Sequence, residues 1–263
     1  MIVRDARIAG KTAHAIAIFR IYTKPAVRLL DHFGLLRKGS VHLVGLRNGL
    51  RFQVRAGSGD LSIIDEVFIH RIYDRALSRI GPGHTVIDIG AHCGVFAVAA
   101  AARGAGVICI EPMVANLRAL EQNIAANSLR GAVVVRPVAV GGTSGEIELY
   151  MRDIDSGGST AFPVIHPEWV GRDDVKTVKV QCVTLEEVLK GVPGQCRCLK
   201  IDCEGAEYEI FAKASAEELG QVESIIMEYH PNGRVADVGE RLELVGFRVE
   251  ISPRSSTLFA WKD

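Results

Sequence analysis

The residues with the clearest chemical potential lie in three short stretches. Residues 85–94 read Thr-Val-Ile-Asp-Ile-Gly-Ala-His-Cys-Gly, and a second apolar run, 107–110, closes on Glu111. An apolar strand entering a glycine turn, a helix, and a strand ending on a carboxylate make the front half of a nucleotide-binding α/β unit. Gly90 and Gly94 permit a tight turn and close approach of backbone to ligand, with Ala91 and His92 between them. Glu111 stands near the spacing at which an acidic residue takes a ribose hydroxyl pair. Asp88 decides between ligands. A pyrophosphate belongs at a helix N-terminus, where dipole and free N–H groups favour anions. A carboxylate ahead of the glycines would repel it and would suit an ammonium or a sulfonium. The pattern therefore favours S-adenosylmethionine over NAD.

The second stretch is Lys200-Ile201-Asp202-Cys203-Glu204-Gly205-Ala206-Glu207, a strand delivering Asp202 and Glu204 ahead of a helix. Crowded carboxylates are costly unless paired or used. They could orient an acceptor hydroxyl or take its proton; the plain alternative is that Glu204 and Glu207 favour a helix N-terminus. The third stretch, Met227-Glu228-Tyr229-His230-Pro231-Asn232, places Glu228 and His230 on one face of a neighbouring strand end. His230 has the ordinary pKa of a general base, with a structural histidine as the alternative. Asp202, Glu204 and Glu228 also offer oxygen ligands to a divalent metal, which is the less favoured reading. Pro112 and Asn116 follow Glu111 and are expected to bound an adenosine. His92 either touches the ligand or caps the following helix, and capping is preferred. No Ser-His-Asp arrangement or Walker-type lysine loop is present, so hydrolase and NTPase readings have no support.

Four motifs in order, VIDIGAHCGVFAV (86–98), CIEP (109–112), CLKIDCEGAEYEIF (198–211) and SIIMEYHP (224–231), resemble the FkbM family of S-adenosylmethionine-dependent methyltransferases. The resemblance spans about residues 60–251, and the family usually has Asn where this chain has His92. It implies a class I methyltransferase fold and O-methylation of a small-molecule or sugar hydroxyl. It also implies that the small residues from Ala139 to Gly142 let an adenine lie against backbone. The competing readings are a non-catalytic S-adenosylmethionine-binding or scaffold protein and an NAD-linked oxidoreductase. The latter is disfavoured by Asp88 and by His92 standing where a second glycine would help.

The elements that must position these residues follow from periodicity. From residue 85 strands and helices alternate, which predicts a Rossmann-like α/β domain: a mostly parallel sheet of seven strands with helices on both faces. Strands are expected at 85–89, 106–110, 132–138, 197–201, 222–228, 246–251 and 257–261, with helices at 94–103, 113–127, 206–213 and 233–245. An extra strand pair, 145–151 and 176–182, flanks a Gly- and Pro-containing segment, 153–175, read as a lid whose Ser156–Thr160 tip could cradle a ligand. Before the core, Arg47-Asn48-Gly49 joins two strands of a hairpin, and 62–80 reads as a helix ending at Gly81-Pro82-Gly83. The chain thus divides into an N-terminal helical and hairpin appendage, 1–80, and a methyltransferase domain, 81–263.

A length of 263 residues, 48% hydrophobic and 24% charged, allows one sizeable core. Zero formal net charge gives no argument for a nucleic-acid partner. Residues 1–40 nevertheless carry eight Lys or Arg against two Asp. Apolar positions at helical spacing across 12–36, broken at Pro25, make an accessory segment packed on the domain or, more sharply, a basic amphipathic helix on a membrane surface. The six cysteines lack metal-ligand spacing and read as buried free thiols of a cytoplasmic protein. The N-terminus lacks a secretory pattern, with a transit peptide as a minor alternative, and no apolar run is long enough to span a bilayer.

Overall fold

The protein is described here by a computed structural model covering residues 14–152, 155–162, 169 and 172–263. Residues 1–13 of the basic N-terminus and, within the expected lid, residues 153–154, 163–168 and 170–171 lie outside the described residues.

A helical stretch at 14–21 (α1) is followed, after Pro25, by α2 (Ala26–His32). The hairpin forms as expected: β1 (Val41–Gly45) pairs antiparallel with β2 (Arg51–Arg55). Its turn closes with Leu46 N–H donating to Leu50 O at 2.8 Å, and Gly49 alone takes the positive φ, 92°. The single helix expected over 62–80 is instead three pieces. Helix α3 (Asp60–Asp65) runs into a π-helical turn over Glu66–His70, and α4 (Asp74–Leu77) follows. Ile72 N–H closes onto Glu66 O at 3.1 Å and Arg71 sits at φ 58°, so the helix cannot propagate through it.

The core continues through β3 (Thr85–Ile89), α5 (Val95–Ala101), β4 (Gly106–Ile110), α6 (Val114–Ala126) and β5 (Val133–Arg136). Next come β6 (Ala139–Val140), β7 (Gly145–Arg152), β8 (Asp155–Thr160), β9 (Val175–Val183) and α7 (Leu185–Leu189). The chain ends through β10 (Cys196–Ile201), α8 (Glu207–Lys213), α9 (Ala216–Gly220), β11 (Ser224–Glu228), α10 (Val235–Leu244), β12 (Arg248–Ser252) and β13 (Thr257–Trp261). Seven strands form the main sheet in the order β12-β13-β11-β10-β3-β4-β5, all parallel except β13. This is the class I methyltransferase sheet, and its order reverses between β3 and β10, where an open α/β sheet builds its ligand crevice.

The strand expected at 132–138 stops at Arg136, because Pro137 has no N–H to donate to a ladder. The chain then enters a second sheet, β6-β9-β7-β8, that contains the expected 145–151 and 176–182 pair. The start of the segment read as a lid is the strand β8, whose Ser-Gly-Gly-Ser run has no apolar alternation to announce it.

Strand alternation sorts the core into two layers. Val86, Val107, Cys109, Cys198, Ile226 and Phe259 face α5, α6 and the N-terminal elements, while Ile87, Ile108, Leu199, Ile225 and Leu258 face α7–α10. The first layer also holds Tyr22, Phe52, Leu61, Ile64, Val67 and Leu77, so apolar packing runs without a break across the boundary expected at residue 81. All six cysteines are free, five of them buried. Among the described residues no helix is long and apolar enough to cross a membrane.

Candidate active site

Strand parity that buries Val86, Cys198 and Ile226 on the N-terminal side sends Asp88, Lys200, Asp202 and Glu228 to the same side, toward the strand ends. There α3 and its π-helical turn roof a cavity of about 300 Å³. Gly59, Ser62, Ile63 and Glu66 line it, a stripe of one helix face, and Glu111, Asn116, Ala139, Asp202, Glu204 and Glu228 are among the residues opposite. Glu111 follows β4 and Glu228 ends β11. With neighbouring strands about 4.8 Å apart, these carboxylates mark opposite ends of the cavity.

At the first end Glu111 is buried and organised by donors. His92 N–H donates to Oε2 at 2.9 Å, while Met113 N–H (2.9 Å) and Asn116 Nδ2 (3.3 Å) donate to Oε1. Burial pushes its pKa up and the N–H donors pull it back. Oε2 keeps acceptor capacity for a further hydroxyl. His92 sits at φ 50°, a conformation that Asn, Asp and His adopt more readily than most residues. The N-cap position of α5 is Gly94, not His92. Instead Nε2 lies 3.9 Å from Asp60 Oδ1, and Asp60 is itself gripped by Arg55 through its backbone N–H, Nε and Nη2. Burial lowers the His92 pKa to about 4, so the ring is neutral at pH 7.

Both glycines take the positive φ that the tight turn needs, and both also allow close packing inside the fold. A Cβ on Gly90 (φ 73°) would meet Asp202 O at 1.7 Å, and one on Gly94 (φ 82°) would meet Leu120 Cδ1 at 2.2 Å. They let β3 close on β10 and let α5 close on α6. Gly90 still lines the cavity beside His92, Pro112 and Ala139, whereas Gly94 and Ala91 do not. Asp88 is also displaced from its expected role. It is fully buried, does not line the cavity, and lies 3.2 Å from Lys200 Nζ, so its charge is met inside the fold rather than offered to a ligand.

Lys200, which sequence reasoning passed over, links the two ends. Its Nζ donates to Gly90 O at 2.8 Å and stands 3.4 Å from Asp202 Oδ2. Burial opposes its charge, but Asp88 and Asp202 outweigh that and hold its pKa well above the ordinary value. At the second end Tyr73 Oη donates toward Asp202 Oδ2 (3.4 Å) and Glu228 Oε2 (3.5 Å). Burial, then Asp202 and Glu228, raise the phenol's pKa well above normal and keep it a donor. Glu228 is pushed up to about 8 by burial and by the carboxylates of Asp202 and Glu66.

His230 is not placed as a base. Its Nε2 lies 3.2 Å from Glu204 Oε2, its Nδ1 lies 3.2 Å from Glu207 Oε1, and it does not line the cavity. Burial disfavours the charged ring, but the hydrogen bonds to Glu204 and Glu207 prevail and hold its pKa at about 11. Asp202, Glu204 and His230 are close enough to share a metal ion, which would have to displace a ring proton; without one, the imidazolium has no lone pair with which to take a proton. Instead it fixes Glu204, whose backbone is in the left-handed region at φ 55°. Glu207 also accepts from Cys203 and Gly205 N–H, both at 2.9 Å, bracing the turn that presents Asp202 and Glu204.

A doubly wound sheet with a nucleotide-type turn at its switch point, facing a carboxylate cluster, defines a methyltransferase of class I architecture. The sequence profile of the FkbM methyltransferase domain matches residues 88–249, and the chain belongs to that family. No curated protein matches it. It is similar to a solved FkbM methyltransferase from Methylobacillus flagellatus KT, with 12% identity over 76% of this chain and 53% of that one and a TM-score of 0.48. It is also similar to a magnesium protoporphyrin IX methyltransferase from Synechocystis PCC 6803 with bound S-adenosylmethionine, with 14% identity, 77% and 79% coverage and a TM-score of 0.42. Likenesses this distant carry no substrate over to this chain. Family membership implies S-adenosylmethionine as methyl donor, and the site fits it. Glu111 Oε2 has room for a ribose hydroxyl, Ile110, Val138, Ala139 and Val140 form an apolar wall for a base, and the acidic end suits a cation.

Proposed function

We propose that this methyltransferase is an O-methyltransferase acting on a hydroxyl of a small molecule or a sugar. S-adenosylmethionine supplies an electrophilic methyl carried on a sulfonium. Glu111, His92, Pro112, Asn116 and Ala139 bind the nucleoside part, with Gly90 setting the backbone that faces it. Asp88 acts at one remove, by holding Lys200 against Gly90 O and Asp202. Asp202 and Glu228, bridged by the Tyr73 phenol, accept hydrogen bonds from the acceptor and orient its oxygen for in-line attack. The α3 roof excludes water from the reacting atoms. The observation that carries this reading is the carboxylate cluster at the far end of the same cavity as Glu111. Such a wall accepts from hydroxyl groups and repels anionic acceptors.

The test is methyl transfer from radiolabelled S-adenosylmethionine to a panel of methyl glycosides and simple alcohols, with matched amines and carboxylates. Label should enter ethers, and calorimetry should detect S-adenosylhomocysteine but not NAD. Label entering only amines or carboxylates overturns the hydroxyl assignment. If S-adenosylhomocysteine does not bind, the donor assignment goes with it.

A further inference from the structure

The α3 roof holds one carboxylate that the reading so far does not use. Glu66 begins the π-helical turn, lines the cavity, and makes no hydrogen bond or ion pair through its side chain among the described residues. The carboxylates around it are all held: Asp202 and Glu228 by Tyr73, Asp202 also by Lys200, Glu204 by His230. The local backbone is irregular at the same place. A π-helical turn widens the helix by one residue, and such turns occur often at functional sites. Here it starts at Glu66, at the end of the Gly59, Ser62, Ile63 stripe that faces the crevice.

We infer that Glu66 is the general base of the reaction, the group that takes the hydroxyl proton of the acceptor as its oxygen is methylated. The inference rests on the methyltransferase reading above. In the step an acceptor oxygen lone pair forms the O–CH₃ bond. The S–CH₃ bond breaks with its electron pair going to sulfur, and the O–H proton passes to a Glu66 carboxylate oxygen. The product is a neutral thioether, and the proton leaves to solvent when the site opens.

The electrostatics agree with this placement. The charged and titratable groups facing Glu66 are Asp65 on its own helix, Lys200, Asp202 and Glu204 at the end of β10, and Glu228 with the Tyr73 phenol beside it. Burial first, then Asp202, raise Glu66 to about 7, with Lys200 pulling the other way. A base is most effective when its pKa lies near the working pH.

The test needs no knowledge of the acceptor. The full chain is labelled with ¹³C at glutamate side-chain carboxyls and titrated by NMR, as wild type and Glu66→Gln, with saturating S-adenosylhomocysteine or S-adenosylmethionine. Two resonances should titrate near neutrality, those of Glu66 and Glu228; one of them should be missing in Glu66→Gln and have a midpoint about one unit or more lower with S-adenosylmethionine, whose sulfonium adds a cation nearby. The same midpoint with both ligands for the resonance assigned to Glu66, or no near-neutral resonance lost in Glu66→Gln, overturns the inference. Failure of both nucleosides to bind wild type would instead overturn the methyltransferase reading. Binding of S-adenosylhomocysteine by Glu66→Gln shows that the variant is folded. On a glycoside methylated in the panel above, its kcat should fall about a hundredfold or more at nearly unchanged KM; wild-type kcat would also overturn the inference.

Discussion

The two ends of the cavity solve opposite electrostatic problems. At the Glu111 end one carboxylate is met by N–H donors, the nearby histidine is kept neutral, and Asp60 is neutralised by Arg55. At the far end Glu66, Asp202, Glu204 and Glu228 gather around one lysine and one imidazolium, and two of the four are pushed toward neutral pKa values. The first end is built before its ligand arrives and has little left to titrate. The second keeps unresolved charge, which is what a site that must move a proton requires.

The comparison breaks most severely at Lys200. Replacing it with Met leaves Asp88 buried without its counter-charge, and removing one partner of a buried pair costs about 3–5 kcal/mol. Thermal denaturation should show a drop of roughly 10 °C. Asp88→Asn in the same background should restore much of it; no recovery would mean that the pair is not what stabilises this region.

Gly90→Ala strikes where the two ends meet. The added Cβ would lie 1.7 Å from the backbone oxygen of Asp202, just past β10, so strand ends rather than a flexible side chain must move. We expect a loss of about 3 kcal/mol in urea unfolding, with S-adenosylhomocysteine binding weakened as well. An unperturbed midpoint would count against the close approach of β3 and β10.

Glu111→Ala tests the organised end alone. Loss of a charge-assisted contact costs about 1.5–3 kcal/mol, roughly ten- to a hundredfold in S-adenosylhomocysteine affinity by calorimetry. Asp202→Asn, at the other end, should bind it almost normally and lose turnover. Equal binding losses in both variants would erase the division between the ends.

In pH dependence the ends differ in sign. His92 is lowered to about 4 in the fold from 6.5, so the unfolded chain binds more protons and stability rises with pH between those values. Glu66 and Glu228 are raised from 4.5 to about 7 and about 8, so the folded chain binds more protons and stability falls as pH rises across those windows. His230, raised from 6.5 to about 11, stabilises the fold fully below 6.5 and loses that contribution as pH rises through 11. Denaturation midpoints against pH should flatten below 6.5 in His92→Asn, between about 4.5 and 8 in Glu228→Gln, and above 6.5 in His230→Gln. A His92→Asn profile that matches wild type would contradict the neutral buried imidazole.

Much of this architecture was legible in advance. Short continuous apolar runs located the strands of the main sheet to within a few residues, and glycine and proline punctuation located the hairpin and the turn at Gly90. Glu111, Asp202, Glu204 and Glu228 were placed at strand ends because a carboxylate interrupting an apolar run has nowhere else to go. Glu66 was not found, although it lies opposite the apolar stripe of Ile64, Val67 and Phe68. The expectation over 62–80 rests on the apolar positions of that helix, and nothing in its spacing says that the opposite face meets the strand ends.

Local pattern by itself therefore determined the elements, their order, and the cofactor-type turn, because backbone geometry and side-chain periodicity are properties of neighbouring residues. Partnership was decided only by the tertiary structure. Asp88 faces Lys200, 112 positions along the chain, because β3 and β10 are adjacent and their residues share a face. His230 is an imidazolium rather than a base because folding brings two carboxylates to its nitrogens. Helix α3 and its π-helical turn roof the cavity because the apolar layer they help complete is the same layer that carries the charged strand ends. Ionisation and burial depend on what lies across space, and no spacing along the sequence encodes that distance.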